Sequence, residues 1–295
     1  MIQPSGRLYQ KAIASLQSGN WLKAVDILKH LRAKDPSFLP ACYELVQIYL
    51  ERGRTELAEE TIEQALKAAP EDPNSLLIRA DIHLSLGEVD EALILYEKLE
   101  RITAPPSPDL LLHLALAHSM KREWNAALSY LELAIDDEPE FLEAFELEGK
   151  IRLERGEFEE AEAAFLDVLD LEPEHLMANH LLGVVYARQG RWRAAIRQWE
   201  FTLSISPDAD ETLREMGGAW TMLGQDDQAV DTLKLALEIN PQNLQARIDL
   251  GLVLMKRKQI DEAIAQWELA RCSDPNNPVV KKFLTDARLY RGRSS

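Results

Sequence analysis

An alanine returns at a nearly constant interval through most of this 295-residue chain. Of the seven intervals between the eight alanines, six are 34 residues long and one is 35. The alanines are Ala24, Ala58, Ala92, Ala127, Ala161, Ala195, Ala229 and Ala263. A proline follows twelve residues after each of them except Ala92. Such a period is typical of stacked supersecondary units rather than one globular core shared along the chain.

Apolar residues recur three and four positions apart within each interval, which predicts two amphipathic helices per repeat unit. The units are residues 5–38, 39–72, 73–107, 108–141, 142–175, 176–209, 210–243 and 244–277. Position fifteen is glycine in six units and predicts a left-handed turn after the first helix; Arg122 and Lys258 replace it in the other two. The proline ends the second helix, because proline cannot continue the hydrogen-bond ladder.

Three further positions describe how the two helices of a unit pack. Position eight is small in most units and position twenty is the recurring alanine. Because helices approach closely only where side chains are small, we expect each helix pair to cross at these positions. Position twenty-four is large, as in Phe165, Trp199 and Trp267. We expect these large side chains to fill the space between one helix pair and the next.

The sixth unit shows the full set of marked positions: Leu182, Gly183, Tyr186, Ala195, Trp199 and Pro207. With these residues the chain resembles the tetratricopeptide repeat family, and the match covers about residues 5–277. It departs from the family motif at the tryptophan position, where the eight units have Leu8, Cys42, Leu76, Leu111, Phe145, Asn179, Leu213 and Arg247. The resemblance implies an all-α fold: one right-handed α-solenoid of eight helix–turn–helix repeats forming a single domain over residues 5–277.

Residues 278–295 are predicted to form a C-terminal capping helix followed by a short tail. Val280, Phe283, Leu284 and Ala287 fall on one face of this helix, while its charged residues lie largely elsewhere. Terminal repeats need a cap of this kind to stay soluble. At the other end, residues 1–4 are expected to be a short lead-in.

The net charge of −17 argues against a nucleic-acid partner, which would need a basic surface. The acidity is uneven along the chain. Residues 142–175 contain twelve acidic and three basic residues, whereas residues 176–209 contain two acidic and four basic residues. This contrast fits either a solvated outer face or a surface that orients a partner.

Features of membrane and secreted proteins are absent from the sequence. The start of the chain does not resemble a signal peptide, and no apolar stretch is long enough to span a bilayer, so we expect no direct membrane insertion. Cys42 and Cys272 fall in the second and eighth units, too far apart in such a stack for a disulfide. These observations favour a reducing, cytoplasmic location.

The sequence also lacks the common patterns of catalysis and metal binding. It has no phosphate-binding glycine loop, no nucleophile elbow and no His-Glu-x-x-His motif. Two histidine pairs are five residues apart: His113 with His118, and His175 with His180. Metal ligands on one helical face are instead three or four residues apart. His83 occupies the repeat position of Tyr49 and is expected to pack as that tyrosine does. We therefore expect no metal, no cofactor and no enzymatic activity.

In the family that the chain resembles, several positions of the first helices, five and nine among them, point into a concave groove. The groove residues that the resemblance implies at positions five and nine are Tyr9, Ile13, Tyr43, Gln47, Leu77, Asp81, Leu112, Leu116, Glu146, Lys150, His180, Val184, Arg214, Ile248 and Leu252. The lining as a whole is unusually apolar for an exposed surface. Two explanations stay open: a tight superhelix in which these side chains touch across repeats, or a groove for an apolar or amphipathic peptide segment.

Family members that hold the acidic tails of heat-shock chaperones use lysine at position five and asparagine at position nine. No repeat here has lysine at position five, and none has asparagine at position nine, so we expect no such tail clamp. The sequence thus favours a non-enzymatic scaffold that binds a peptide or helical segment of a partner protein. The alternatives are a self-assembling scaffold, an accessory subunit of a membrane or secretion assembly and, as a minor one, an enzyme.

Overall fold

The computed structural model describes residues 4–294, and side chains over residues 5–292. Across this range the secondary structure is entirely α-helical, as predicted. Its helices are α1 Pro4–Gln17, α2 Trp21–Lys34, α3 Pro40–Glu51, α4 Thr55–Ala68, α5 Pro73–Ser85, α6 Val89–Ile102, α7 Pro108–Met120, α8 Trp124–Asp137, α9 Leu142–Arg155, α10 Phe158–Leu171, α11 Leu176–Arg188, α12 Trp192–Ile205, α13 Asp210–Met222, α14 Asp226–Ile239, α15 Leu244–Lys256, α16 Ile260–Ser273 and α17 Pro278–Ser294. Residues 1–3 of the predicted lead-in and residue 295 of the predicted tail lie outside the described residues.

The helices α1 to α16 form eight consecutive pairs, one for each predicted repeat, and α17 follows the last pair. The chain divides into two compact halves, Met1–Phe141 and Leu142–Ser295. Within each half, every helix packs against the next one along the chain. The single domain expected over residues 5–277 stays a prediction.

Each repeat reverses direction at position fifteen, where the backbone is left-handed. The glycines at this position have φ between 65° and 79°: Gly19, Gly53, Gly87, Gly156, Gly190 and Gly224. Arg122 and Lys258 keep the same geometry, with φ of 59° and 64°. Because a Cβ atom crowds the following carbonyl oxygen in this conformation, these two turns are strained relative to the six glycine turns.

The second helix of a repeat ends directly before the proline, as predicted. In the fifth repeat, Glu172 follows α10 with φ −134° and ψ 89°. This extended conformation is the one that a residue before proline prefers. The Glu172 N–H still donates to the carbonyl oxygen of Val168 at 2.8 Å, which completes the last turn of the helix.

Small residues allow the two helices of a repeat to cross, as predicted, and all eight recurring alanines are fully buried. At position eight, a Cβ atom added to Gly183 would lie 2.3 Å from Nε1 of Trp199. A Cβ added to Gly149 would lie 2.7 Å from the ring of Phe165. The large side chains at position twenty-four lie against the first helix of their own repeat, in the space that glycine leaves. Trp267 also packs against the element that follows its repeat, where it meets Phe283 of α17, as expected for this position.

Helix α17 packs against α16 with its predicted apolar face. Val280, Leu284 and Ala287 are buried, and the ring centroid of Phe283 lies 5.2 Å from that of Trp267. The helix therefore covers the last repeat in the manner of a cap.

Two further sequence features have a structural counterpart. Over residues 4–294, none of the helices combines the length and the apolar character needed to cross a bilayer. Cys42 is buried, Cys272 is exposed, and both thiols are free. The cytoplasmic location stays a prediction.

Candidate functional site

The fifteen residues implied to line a groove differ widely in exposure. Gln47, Leu116 and Leu252 are exposed. Eleven are half-buried: Tyr9, Ile13, Tyr43, Leu77, Asp81, Leu112, Glu146, Lys150, His180, Val184 and Arg214. Ile248 is buried in the same apolar cluster as Leu284 of the capping helix. The groove role implied for Ile248 is therefore wrong, because an enclosed side chain cannot reach a partner.

Position-five tyrosines of the amino-terminal half connect each first helix to the next one. The Tyr9 hydroxyl on α1 donates a hydrogen bond to Glu44 on α3, 2.8 Å away. The Tyr43 hydroxyl on α3 donates to Asp72, which caps the start of α5. The pKa of each tyrosine is raised to about 12. Burial is the larger cause, and the hydrogen bond to the carboxylate is the second. Both phenols therefore stay protonated near neutral pH and serve as donors, Tyr9 to the next repeat and Tyr43 to the residue that caps the next first helix.

First helices of the carboxy-terminal half are connected in the same way. His180 Nδ1 on α11 lies 2.9 Å from the Thr212 hydroxyl on α13. Arg214 on α13 lies 3.3 Å from Asp249 on α15. Burial raises the pKa of Asp249 and lowers that of His180, because both side chains lose hydration. At position five, Tyr9, His180 and Arg214 therefore join neighbouring repeats.

Other positions of the first helices stay open to solvent. The exposed apolar side chains at positions nine, twelve and thirteen are Leu50, Leu116, Met120, Met222 and Leu252, with exposed fractions of 37 to 62%. Side chains at position five, such as Tyr9 and His180, touch across repeats, as the first explanation expects. Those at positions nine, twelve and thirteen leave exposed apolar surface, and its use as a peptide groove stays a prediction. Taking each half by itself, we call its members of this set and their surroundings the first-helix surface of that half.

A cavity of about 330 Å³ opens on the first-helix surface of the carboxy-terminal half. Its lining is Ala187, Trp192, Trp199, Glu215, Gly218, Ala219, Thr221, Met222, Leu233, Asp249, Leu252 and Val253. Gly218, at position nine of the seventh repeat, leaves open space: a Cβ there would meet no atom within 4 Å. We call this cavity the Gly218 pocket. The pattern did not predict it, since glycine at a groove position carries no side chain to interpret.

The acidic edge of the Gly218 pocket is organised by one arginine. Arg214 lies 2.6 Å from Glu211 and also pairs with Glu215 and Asp249. Burial opposes the charge of Arg214, but these carboxylates raise its pKa well above the usual range. Three carboxylates around one guanidinium leave an excess of negative charge beside an apolar cavity.

A second apolar surface lies on the second helices of the carboxy-terminal half. Phe201 on α12, Leu235 on α14 and Leu269 on α16 occupy the same repeat position, twenty-six, and are 43 to 50% exposed. We call these three residues the outer stripe. We did not predict the outer stripe from the sequence, although its three side chains recur at the repeat period, which is a signal that could have revealed them.

The helix pairs described above agree with comparisons to known proteins. Residues 71–278 match the sequence-family model described as "Cilia and flagella-associated protein 70 C-terminal domain", and residues 15–82 match the model described as "Tetratricopeptide repeat". A curated relative, human tetratricopeptide repeat protein 21B, is 24% identical over 121 residues. That match covers 41% of this chain and 9% of the human protein, so the chain spans about a tenth of that relative's length.

Two solved structures share the fold. The first is the C-terminal part of a TPR repeat-containing protein from Cytophaga hutchinsonii, with a TM-score of 0.65 and 14% sequence identity, covering 82% of this chain and 99% of that one. The second is a chain of the APC/C hetero-tetramer Cut9–Hcn1, with a TM-score of 0.64 and 18% identity, covering 96% of this chain and 56% of that one. At these identities the likeness concerns the fold alone, and it supports the predicted helical-repeat architecture.

Proposed function

Because the chain belongs to the tetratricopeptide repeat family, we propose that it is a protein-interaction scaffold whose Gly218 pocket binds a segment of a partner protein. Proteins of this family are generally non-enzymatic scaffolds. The observation that carries the proposal is the pocket itself, an apolar cavity beside exposed Met222 and Leu252. Exposed apolar surface with a cavity is a common feature of interaction sites, and methionine adapts its shape to different partners.

The chemistry of the pocket specifies the segment it would take. Its volume of about 330 Å³ is at the lower end for binding cavities, about 300–1,000 Å³, and suits one or two apolar side chains better than a large ligand. Glu215 and Asp249 line the same cavity. We therefore propose an amphipathic or extended segment that inserts an apolar side chain and places a lysine or arginine beside these carboxylates.

An acidic segment fits this surface poorly. The guanidinium of Arg214 is already engaged by Glu211, Glu215 and Asp249. An incoming carboxylate would have to compete with these three groups and would meet their repulsion. We therefore retain the proposals that neither an acidic chaperone tail nor a nucleic acid is the partner, in line with the net charge of −17.

Selection from a random peptide display library tests the proposed occupant. We expect the wild-type chain to enrich peptides in which a large apolar residue adjoins a lysine or arginine. Such peptides should bind Gly218→Leu at least about tenfold more weakly, because the added side chain occupies the pocket without a clash in the free protein.

The matched control places the same side chain elsewhere. Gln228→Leu adds leucine at an exposed position of α14 that does not line the pocket, and it should bind the selected peptides as the wild type does. Enrichment of acidic peptides, or equal binding by wild type and Gly218→Leu, would contradict the proposal.

A second candidate function is self-assembly through the outer stripe. Phe201, Leu235 and Leu269 present aligned apolar side chains that lie outside the Gly218 pocket. If a second copy covers them, the mass in solution should rise with concentration, and Leu235→Glu should return the chain to a monomer. Gln228→Glu, a charge change at an exposed site on the same helix, should leave that association unchanged. A wild-type chain that stays monomeric at all concentrations would exclude this alternative.

Two broader expectations remain proposals. An accessory role in a membrane or secretion assembly would follow only from the identity of the partner. The cytoplasm remains the proposed location, which cell fractionation of the tagged chain tests directly.

A further inference from the structure

Three side chains from separate helices of the amino-terminal half bring two carboxylates and one imidazole together. Glu59 lies on α4, His83 lies on α5, and Glu88 directly precedes the first residue of α6. One possible ligand atom from each residue lies within 4.8 Å of the other two. The His83 side chain is 16% exposed and that of Glu88 is 48% exposed, so the cluster is enclosed on one side and open to water on the other.

We propose that Glu59, His83 and Glu88 bind a divalent transition-metal ion of the zinc class. Zn²⁺ accepts imidazole nitrogen and carboxylate oxygen at about 2.0–2.2 Å, and ligand atoms around such a tetrahedral ion lie about 3.3–3.6 Å apart. Binding would require the three ligand atoms, now within 4.8 Å of one another, to take up that spacing. His83 Nδ1 and Glu88 Oε2, now 2.6 Å apart, would separate to admit the ion. Water would supply the remaining ligand from the open side.

Glu59 gives the cluster its capacity for a third ligand. Among the described side chains, residues 5–292, the Glu59 carboxylate has no hydrogen-bond or ion-pair partner. It is nevertheless half-buried. A charged group that loses hydration without gaining a partner is destabilised, so a cation beside it would be favoured.

The fourth repeat contains the same histidine–glutamate pair without the third ligand. His118 Nδ1 lies 2.7 Å from Glu123, matching the pair in the third repeat. At the repeat position of Glu59, however, the preceding repeat supplies buried Leu93. Lys121 also pairs with Glu123 at 3.2 Å, whereas Leu86 stands at that position in the third repeat. The part of the chain that the structure describes therefore contains one cluster with three ligands and no paired lysine, and its two-ligand counterpart in the fourth repeat serves as a control.

The sequence analysis expected no metal because it compared histidines only along single helices. Glu59 and His83 are 24 residues apart, and only the packing of α4 against α5 brings them together. Ligands contributed by neighbouring repeats do not follow the spacing of three or four residues that one helical face requires.

Zinc titration of the full chain tests the proposal. After chelator treatment, ZnCl₂ is added to wild type, Glu59→Leu, His83→Asn and His118→Asn, with calorimetry and thermal melting as the two measurements. We expect Glu59→Leu, which copies the neighbouring repeat, and His83→Asn to bind this zinc at least about tenfold more weakly. Zinc should raise the melting temperature of wild type and His118→Asn but not of the two ligand variants.

Binding that is equal in wild type and Glu59→Leu would overturn the proposal, as would an equal loss in His118→Asn, which would indicate adventitious binding to histidines. Circular dichroism checks that each variant is folded. If His83→Asn does not fold, Glu59→Gln replaces it, since this change keeps the side-chain size and removes the charge. Zinc affinity of Glu59→Gln at the wild-type value would also overturn the proposal.

Discussion

The indole nitrogen of Trp199 donates a hydrogen bond to the main-chain carbonyl oxygen of His180, 3.1 Å away, across the helix pair of the sixth repeat. In the eighth repeat, Trp267 makes the equivalent bond to Ile248, also at 3.1 Å. Position eight is glycine in both repeats, and an added Cβ would come within 2.3 Å of the first indole nitrogen and 2.2 Å of the second. The missing side chain therefore lets each indole satisfy its buried N–H.

Alanine substitutions at two helical glycines should have opposite effects. Gly183→Ala should lower the free energy of unfolding by about 1–3 kcal/mol, because the methyl group overlaps Trp199. Gly218→Ala should raise it by about 0.5–1 kcal/mol, because its Cβ meets open space and alanine is the better helix former. Urea denaturation measures both. Effects of the same sign would contradict the packing described for position eight.

The strained turns offer a route to higher stability. Arg122 has φ 59°, and Arg122→Gly should raise the free energy of unfolding by about 1 kcal/mol because glycine adopts this conformation without strain. Gly190→Ala should lower it by a similar amount. No atom lies within 4 Å of the added Cβ at Gly190, so its effect would report the backbone alone. Thermal melting compares the two variants, and a neutral Gly190→Ala would show that the left-handed turn carries no strain.

Two leucines on α7 test whether the first-helix surface is open to water. Leu114 is fully buried, whereas Leu116 is 37% exposed. Leu114→Asp should cost more than about 3 kcal/mol, because it removes core packing and buries a charge. Leu116→Asp should cost less than about 1 kcal/mol. Chemical denaturation of both variants measures these changes in the free energy of unfolding. Severe destabilisation by Leu116→Asp would place that residue in the core.

Acidification should weaken the carboxy-terminal half through His180. Burial lowers its pKa, Arg214 lowers it further, and Glu215 and Glu211 oppose the shift. The unfolded chain, with a histidine pKa of about 6.5, therefore binds the proton more readily than the folded chain. The contribution of neutral His180 is complete above about pH 6.5 and is lost as pH falls through the lowered folded pKa.

His180→Gln removes this titration, so the stability difference between wild type and variant should shrink between pH 7.5 and pH 5. Urea midpoints across that range measure it. A wild-type advantage that is constant with pH would contradict the proposed titration.

The sequence predicted the helix pairs because their signals are local. Gly190 marks a turn, Pro173 marks a helix end and Ala161 marks a crossing, each through the conformation or size of one residue. The candidate site was harder to predict from the sequence. Gly217 and Gly218 are adjacent and identical in sequence, yet a Cβ on Gly217 would lie 2.6 Å from Leu233 whereas one on Gly218 meets no atom within 4 Å. Only packing against the neighbouring helices separates them.

Ile248 illustrates the same limit. Position five is half-buried in the other seven repeats, so the period alone gave no reason to treat the eighth differently. In the structure its side chain belongs to the apolar cluster that also contains Leu284 of the capping helix, 36 positions further along the chain. Repeat position indicates which way a side chain points, but the neighbouring elements decide whether solvent reaches it.

The bonds from Tyr9 to Glu44 and from His180 to Thr212 also bear on how the protein denatures. Each joins a first helix to the first helix of the next repeat. Melting of one repeat would leave a half-buried polar group of its neighbour without a partner, at a cost of about 1–3 kcal/mol. In a nearest-neighbour description of repeat proteins, such terms raise the free energy of every boundary between folded and unfolded repeats. The first and second repeats, and likewise the sixth and seventh, are therefore coupled toward melting together.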